Sequence, residues 1–172
     1  RGDRNAYLDF VGRLNAAGLL RFGIVCHVEV TPCCVHEKNG KLRVIFDCRP
    51  ANRRFRDPPE VRLGTAAEWG GLRLPDSANM FVASGDIRDY FYACASDKEL
   101  SEYFCLPALT EGELQSLGID SRLHIPSDHL GRVYPQLRAM PMGWSWAFYF
   151  AQHAYKFMIW KYGPAHDDDF LR

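Results

Sequence analysis

The chain has 172 residues, 47% hydrophobic and 24% charged, an ordinary globular composition with enough length for one substantial core. Lysine plus arginine and aspartate plus glutamate both number 21, so bulk charge favours no nucleic-acid partner and any basic surface has to be local. No run reaches the roughly eighteen apolar residues of a membrane span and no secretory leader opens the chain, so a soluble, intracellular protein with no membrane partner is expected.

Tyr7, Leu8, Val11 and Leu14 recur at helical spacing, predicting a helix over 5–17 that stops at Gly18. The stretch GIVCHVEVTPCCVHEKNGKLRVIFD then reads as two β-rich runs joined at Asn39-Gly40, a dipeptide that tolerates positive φ and so suits a tight hairpin turn. Residues 57–78, rich in proline and glycine with no sustained period, read as a surface connection. NMFVASGDIRDYFYA predicts a strand ending near Asp86 and a short helical turn after it. EYFCLPAL and RVYPQLRAM are strand candidates flanking a polar loop over 110–131. Ala147, Phe150, Ala151, Ala154, Phe157 and Met158 mark a buried helical stripe closed by Gly163-Pro164. The closing HDDDFLR leaves Phe170 and Leu171 nothing to pack on, which suggests a segment of a longer chain.

Three groups of residues carry possible chemistry. On the second hairpin strand Lys41, Arg43 and Ile45 alternate with Leu42, Val44 and Phe46, so cations and apolar residues fall on opposite faces. Cations on a rigid hairpin suit a polyphosphate, although a solvated strand face reads the same way. Asp86, at the end of an apolar run, suits a hard cation such as Mg²⁺ or a helix cap equally well, and Asp89 reads as a helix-start residue. In MPMGWSWAFYFAQ, Gly143 permits close backbone approach and the tryptophans offer stacking faces; a core helix with an aromatic start is the plainer reading.

Two further clusters are weaker. Cys26, His27, Cys33, Cys34 and His36 invite zinc, but their spacing fits no usual zinc pattern. The six cysteines lack the density of a secreted disulfide scaffold and read as reduced core thiols. Asp167, Asp168 and Asp169 read as a solvated acidic loop.

Taken in order, these blocks resemble a reverse transcriptase of the retroelement and retroviral type, an RNA-directed DNA polymerase. VTPCCVHEKNGKLRVIFDCRPAN is similar to that family's fingers, DIRDYFYA to the palm motif with the first catalytic aspartate, and MPMGWSWAFYFAQ to the Pro-x-Gly motif leading into a palm helix. The resemblance covers most of residues 5–162 and implies an α+β chain with a partial right-hand polymerase fold. Residues 1–78 would be a fingers-like helix and hairpin with their connection, and 79–172 a partial palm of antiparallel strands and packing helices.

Carried over by position, the resemblance implies that Lys38 or Lys41 and Arg43 contact an incoming triphosphate. Asp47, Arg49 and Asn52 would organise the fingers and template side, and Asp86 would be catalytic and hold Mg²⁺. Asp89 joins the substrate pocket, Phe91 matches the aromatic that excludes a ribose 2′-hydroxyl, and Met142, Gly143 and Trp144 would line the nascent base pair. The implied partners are an RNA or DNA template, a primer and a dNTP. The implied reaction is two-metal nucleotidyl transfer. The family's Tyr-x-Asp-Asp hairpin is missing, so the second carboxylates of a two-ion site would lie outside this chain and the segment alone is expected to be inactive. The alternative is a degenerate or domesticated retroelement relic that acts as a non-catalytic nucleic-acid-binding or interaction domain.

Overall fold

The computed structural model describes residues 3–36, 38, 40–61, 66–71, 73, 75–76, 79–81, 84–119, 127–128 and 130–163. Helix α1 (Arg4–Ala16) starts where the Asp3 carboxylate accepts the Asn5 N–H at 2.9 Å. It ends at Gly18, whose φ of +72° lets the chain reverse while Leu19 N–H returns to the Leu14 carbonyl. Its Val11 is fully buried, and Tyr7, Leu8 and Leu14 pack beside it.

The chain is α+β, with small antiparallel sheets. Strands β1 (Leu20–Gly23), β4 (Leu109–Thr110) and β5 (Arg132–Leu137) form one sheet in the order β1-β5-β4, with Leu20 opposite Leu137 and Leu109 opposite Val133. Strands β2 (Thr31–His36) and β3 (Leu42–Asp47) form a separate hairpin, Thr31 opposite Asp47 and His36 opposite Leu42. Gly40 takes a φ of +78° at its turn, and Asn39 lies outside the described residues. Short helices α2 (Arg49–Asn52), α3 (Ala66–Gly71), α4 (Tyr90–Ala93), α5 (Lys98–Ser101) and α6 (Glu111–Ser116) precede the long α7 (Ala147–Tyr162). No described helix is long and apolar enough to cross a membrane.

One cluster of buried side chains ties these pieces together. Val11, Leu20, Val30, Phe46, Phe104, Leu106, Leu109, Val133, Leu137 and Trp144 meet in it, so the first sheet and the hairpin share a core. Each such side chain contributes about 1.5–3 kcal/mol when removed from water. The sheet also joins the two halves of the chain, since β1 lies before position 78 and its partner β5 after it.

Several sequence expectations are corrected. Residues 79–81 and 84–86 are irregular, not a strand, and Val82 and Ala83 lie outside the described residues. A strand there would need a neighbour for its N–H and C=O groups, and no described segment pairs with it. Of the strand expected over 102–109, only the last residue joins a regular strand, with Thr110: Tyr103 and Phe104 turn their N–H groups back to Leu100 and Ser101, while Cys105 keeps an isolated bridge to Gln136 and Leu106 N–H reaches the Pro135 carbonyl. Within the loop expected over 110–131, α6 forms on a capping box between Thr110 and Glu113. The α7 stripe is not buried as a whole: Ala147 and Ala151 are, whereas Phe150, Ala154 and Phe157 are exposed. Core burial holds for Cys48 and Cys105, while Cys33 and Cys34 are exposed on β2, and no disulfide forms. Pro164, Asp167, Asp168, Asp169, Phe170 and Leu171 lie outside the described residues.

The α6 cap is also a long-range clasp. Arg4 Nε and Nη2 each donate to a Glu113 oxygen at 2.7 Å, and this hydrogen bonding holds the Glu113 carboxyl at about 2, below its usual 4.5. A carboxyl with a lowered folded-state pKa stabilises fully above its unfolded value and loses that stabilisation as pH falls through the folded value. Stability is therefore expected to decline between pH 4.5 and about 2, and Glu113→Gln to remove that share of the decline. Urea titrations across this range measure it, and an unchanged acid slope in the variant would refute the assignment.

Candidate functional site

The β3 strand and the segment around α4 face each other across an open cleft of about 920 Å³. Lys41, Arg43, Asp86, Asp89, Phe91 and Met142 all line it, although they come from three stretches of the chain far apart in sequence. Leu14 and Leu19, from α1 and the turn after it, supply apolar wall. The cleft thus has cationic, anionic and apolar lining.

Hydrogen bonds fix its walls. Tyr92 donates its hydroxyl to the Val44 carbonyl at 3.1 Å, tying α4 to β3. Tyr90 donates to the Ala151 carbonyl at 2.8 Å, tying α4 to α7. Met140 N–H reaches the Cys94 carbonyl at 3.0 Å and so holds the segment after β5 that leads to Met142. These tyrosines were not singled out in the sequence, and nothing local marks them, because each bond spans tens of residues.

Asp86 is exposed in the cleft and caps no helix. Asp89 occupies the N-cap position of α4, as its reading as a helix-start residue requires, but its side chain makes no capping bond. Its φ is +52°, a left-handed conformation that aspartate tolerates better than most residues. Arg88, between the two aspartates, also lines the cleft. It was passed over in the sequence, although its place within DIRD put a cation two positions from Asp86.

Other expected site residues lie elsewhere. Lys38 is exposed near the hairpin turn and does not line the cleft. Asp47 accepts from Arg49 Nε at 2.8 Å and Nη2 at 2.6 Å, and the Arg49 guanidinium holds its carboxyl down at about 2. Asn52 acts as a clasp: its Nδ2 donates to the Gly143 carbonyl at 3.0 Å while its Oδ1 accepts Ser145 N–H at 2.9 Å. One amide therefore locks α2 to the turn before α7.

Gly143 and Trp144 answer to packing. A Cβ at Gly143 would sit 2.5 Å from the Phe46 carbonyl oxygen, so its close approach is to the backbone of β3. Trp144 is 4% exposed and contacts Phe55, Phe104 and Phe150 with ring centroids 5.3, 5.4 and 5.7 Å away. It does not line the cleft. Trp146 donates its indole N–H to the Arg56 carbonyl.

Among the described residues no group of three or more His, Cys, Asp or Glu side chains is gathered to hold a metal ion. Hard cations take oxygen ligands, and the cleft lining offers the Asp86 and Asp89 carboxylates alone, so among the described residues the donor set is incomplete for a two-ion Mg²⁺ centre. Nor do Cys26, His27, Cys33, Cys34 and His36 converge on a zinc geometry. No protein-family model and no curated protein matches this chain.

Proposed function

We propose that this chain is the nucleotide-gripping part of an RNA-directed DNA polymerase, the fingers and first part of the palm of a right-hand polymerase fold. The observation that carries the reading is the convergence of Lys41, Arg43, Asp86, Asp89, Phe91 and Met142 on one cleft. Five of these, Lys41, Arg43, Asp89, Phe91 and Met142, are among the residues that the reverse-transcriptase resemblance assigns to the dNTP, and Asp86 is the one it assigns to Mg²⁺; Lys38, Gly143 and Trp144, which it also assigns to the substrate, do not line the cleft.

In this reading Lys41 and Arg43 neutralise and position the triphosphate by charge-assisted hydrogen bonds. Met142 abuts the base, and the Phe91 ring fills the space that a 2′-hydroxyl would need. Asp86 presents its carboxylate where the phosphates and the primer end meet. A pair of Mg²⁺ ions, when bound with carboxylates from beyond this chain, would supply charge stabilisation to the attacking and leaving oxygens. Template and primer are the remaining partners.

Anisotropy with a fluorescent dNTP tests the reading on the purified chain. Lys41→Ala with Arg43→Ala is expected to weaken binding at least about tenfold, since hydrogen bonds to charged groups are worth about 1.5–3 kcal/mol. Phe91→Ala is expected to bring ribonucleotide affinity up to that of the deoxynucleotide. Unchanged dNTP affinity in the double variant would overturn the proposal. The chain alone is expected not to extend a primer; template-dependent incorporation that Asp86→Ala abolishes would show instead that it carries a complete active site.

A further inference from the structure

A second pocket, of about 310 Å³, is lined by His27, Arg54 and Tyr103 and shares no residue with the cleft. Its three side chains are a guanidinium, an imidazole and a phenol, all able to bind a phosphate or stack on a ring. The His27 and Tyr103 rings lie 4.6 Å apart, and behind Tyr103 sits Phe55 at 5.0 Å, itself packed on Phe104 and Trp144. This ladder, rooted in the core, holds the surface pair in place before any ligand arrives. Little side-chain freedom is then left to lose on binding.

The backbone is anchored as well. His27 N–H donates to the Glu102 carbonyl at 2.8 Å, and Arg54 N–H donates to the Ala51 carbonyl at 2.8 Å. The Glu102 carboxylate lies 3.5 Å from His27 Nε2 and is not part of the pocket lining, so the imidazole and not the acid faces the ligand space. Residues 49–56 hold Arg49, Arg53, Arg54 and Arg56, with Asp47 and Asp57 just outside that run, and Arg54 is the one of these cations that lines the pocket. Arg49 is engaged with Asp47, whereas the exposed Arg54 presents its guanidinium to the pocket.

We propose that this pocket is a second site that takes one nucleotide unit, its phosphate on Arg54 and its base against the Tyr103–His27 pair. The unit can belong to a single strand or to a free mononucleotide. Both share the chemistry of one phosphate beside one aromatic ring, and the two arms of the test separate them.

The strand arm uses a labelled single-stranded oligonucleotide and the purified chain, read by anisotropy at several salt concentrations. Arg54→Ala and Tyr103→Leu are each expected to weaken binding by about tenfold, and Tyr103→Phe to restore it because the ring is kept. Arg54→Ala is also expected to reduce the slope of log K against log salt by about 0.7, the share of one phosphate contact on a single strand. The mononucleotide arm titrates 5′-AMP while following the His27 imidazole resonances by NMR. Shifts there, lost in Arg54→Ala, assign the pocket to a free nucleotide; strand binding without them assigns it to a strand. Far-UV circular dichroism checks that each variant is folded. The proposal is overturned if both variants bind the oligonucleotide as the parent does and 5′-AMP leaves His27 unmoved. It is overturned too if Lys41→Ala with Arg43→Ala, and not Arg54→Ala, removes strand binding. The dNTP affinity of the cleft is read separately, so either site can fail without the other.

Discussion

Replacing Trp144 by alanine is expected to destabilise the protein by about 3–5 kcal/mol, the range for a large aromatic removed from a core. Trp144 is 4% exposed and packs on Phe55, Phe104 and Phe150, so its loss opens a cavity where the segments after α2 and α5 meet α7. Folded domains have only about 5–15 kcal/mol in total, so the variant is expected to be partly unfolded at moderate temperature. Urea denaturation measures the loss. Its dNTP affinity, corrected for the folded fraction, is expected to match the parent, because the indole does not line the cleft. A stable Trp144→Ala protein with weakened dNTP binding would instead place the indole in the nucleotide pocket. Trp144→Phe is expected to be far milder: the buried indole Nε1 has no hydrogen-bond partner among the described residues, and phenylalanine removes that unmet donor.

Gly143→Ala is expected to cost about 1–3 kcal/mol, the usual range for overpacking a tight site. The new methyl would lie 2.5 Å from the Phe46 carbonyl oxygen and 3.4 Å from Cys48 Sγ. The first of these is backbone, which cannot turn aside as a side chain can. Either β3 or the 143–145 turn has to shift, and the turn is held by both Asn52 hydrogen bonds. The strain therefore spreads to α2 and to Met142 in the cleft wall. Thermal melts should show a drop of about 2–4 °C per kcal/mol for a domain of this size. A parent-like melting temperature would mean that the Phe46 carbonyl is not so close, and Gly143 would then have no packing reason to be glycine.

These two substitutions show how one motif divides on folding. The reverse-transcriptase resemblance implied that Met142, Gly143 and Trp144 of MPMGWSWAFYFAQ are neighbours of one ligand. In the folded chain Met142 faces the cleft, Gly143 abuts β3 and Trp144 enters the core. Adjacent residues in a turn diverge in direction, so a sequence motif can hold a binding residue, a packing residue and a core residue side by side. The plainer reading of its tryptophans, as the aromatic start of a core helix, fits Trp144.

Other features were legible but overlooked. Thr110 followed three residues later by Glu113 is a capping-box signature, yet it lay inside a stretch read as polar loop. Leu20–Gly23 shows no alternation long enough to mark a strand, and it becomes one because β5 supplies its hydrogen bonds. The run before Asp86 had the opposite fate: its described residues, 79–81 and 84–85, pair with no described strand and are irregular.

The sequence by itself determined the local elements: α1 with its glycine stop, the β2–β3 hairpin turning at Gly40, the turn at α4, and the span of α7 to Gly163. Each depends on residues within a few positions of one another, through helical periodicity, alternation and the tolerance of glycine for positive φ. Tertiary structure alone decided which of those elements share a site. Lys41 and Asp86 meet across a cleft, and His27 meets Tyr103, because Tyr92 reaches Val44 and His27 N–H reaches Glu102. Such contacts join groups that no local pattern relates, and they form only when burial of a common core offsets the chain entropy lost in closing the loops between them.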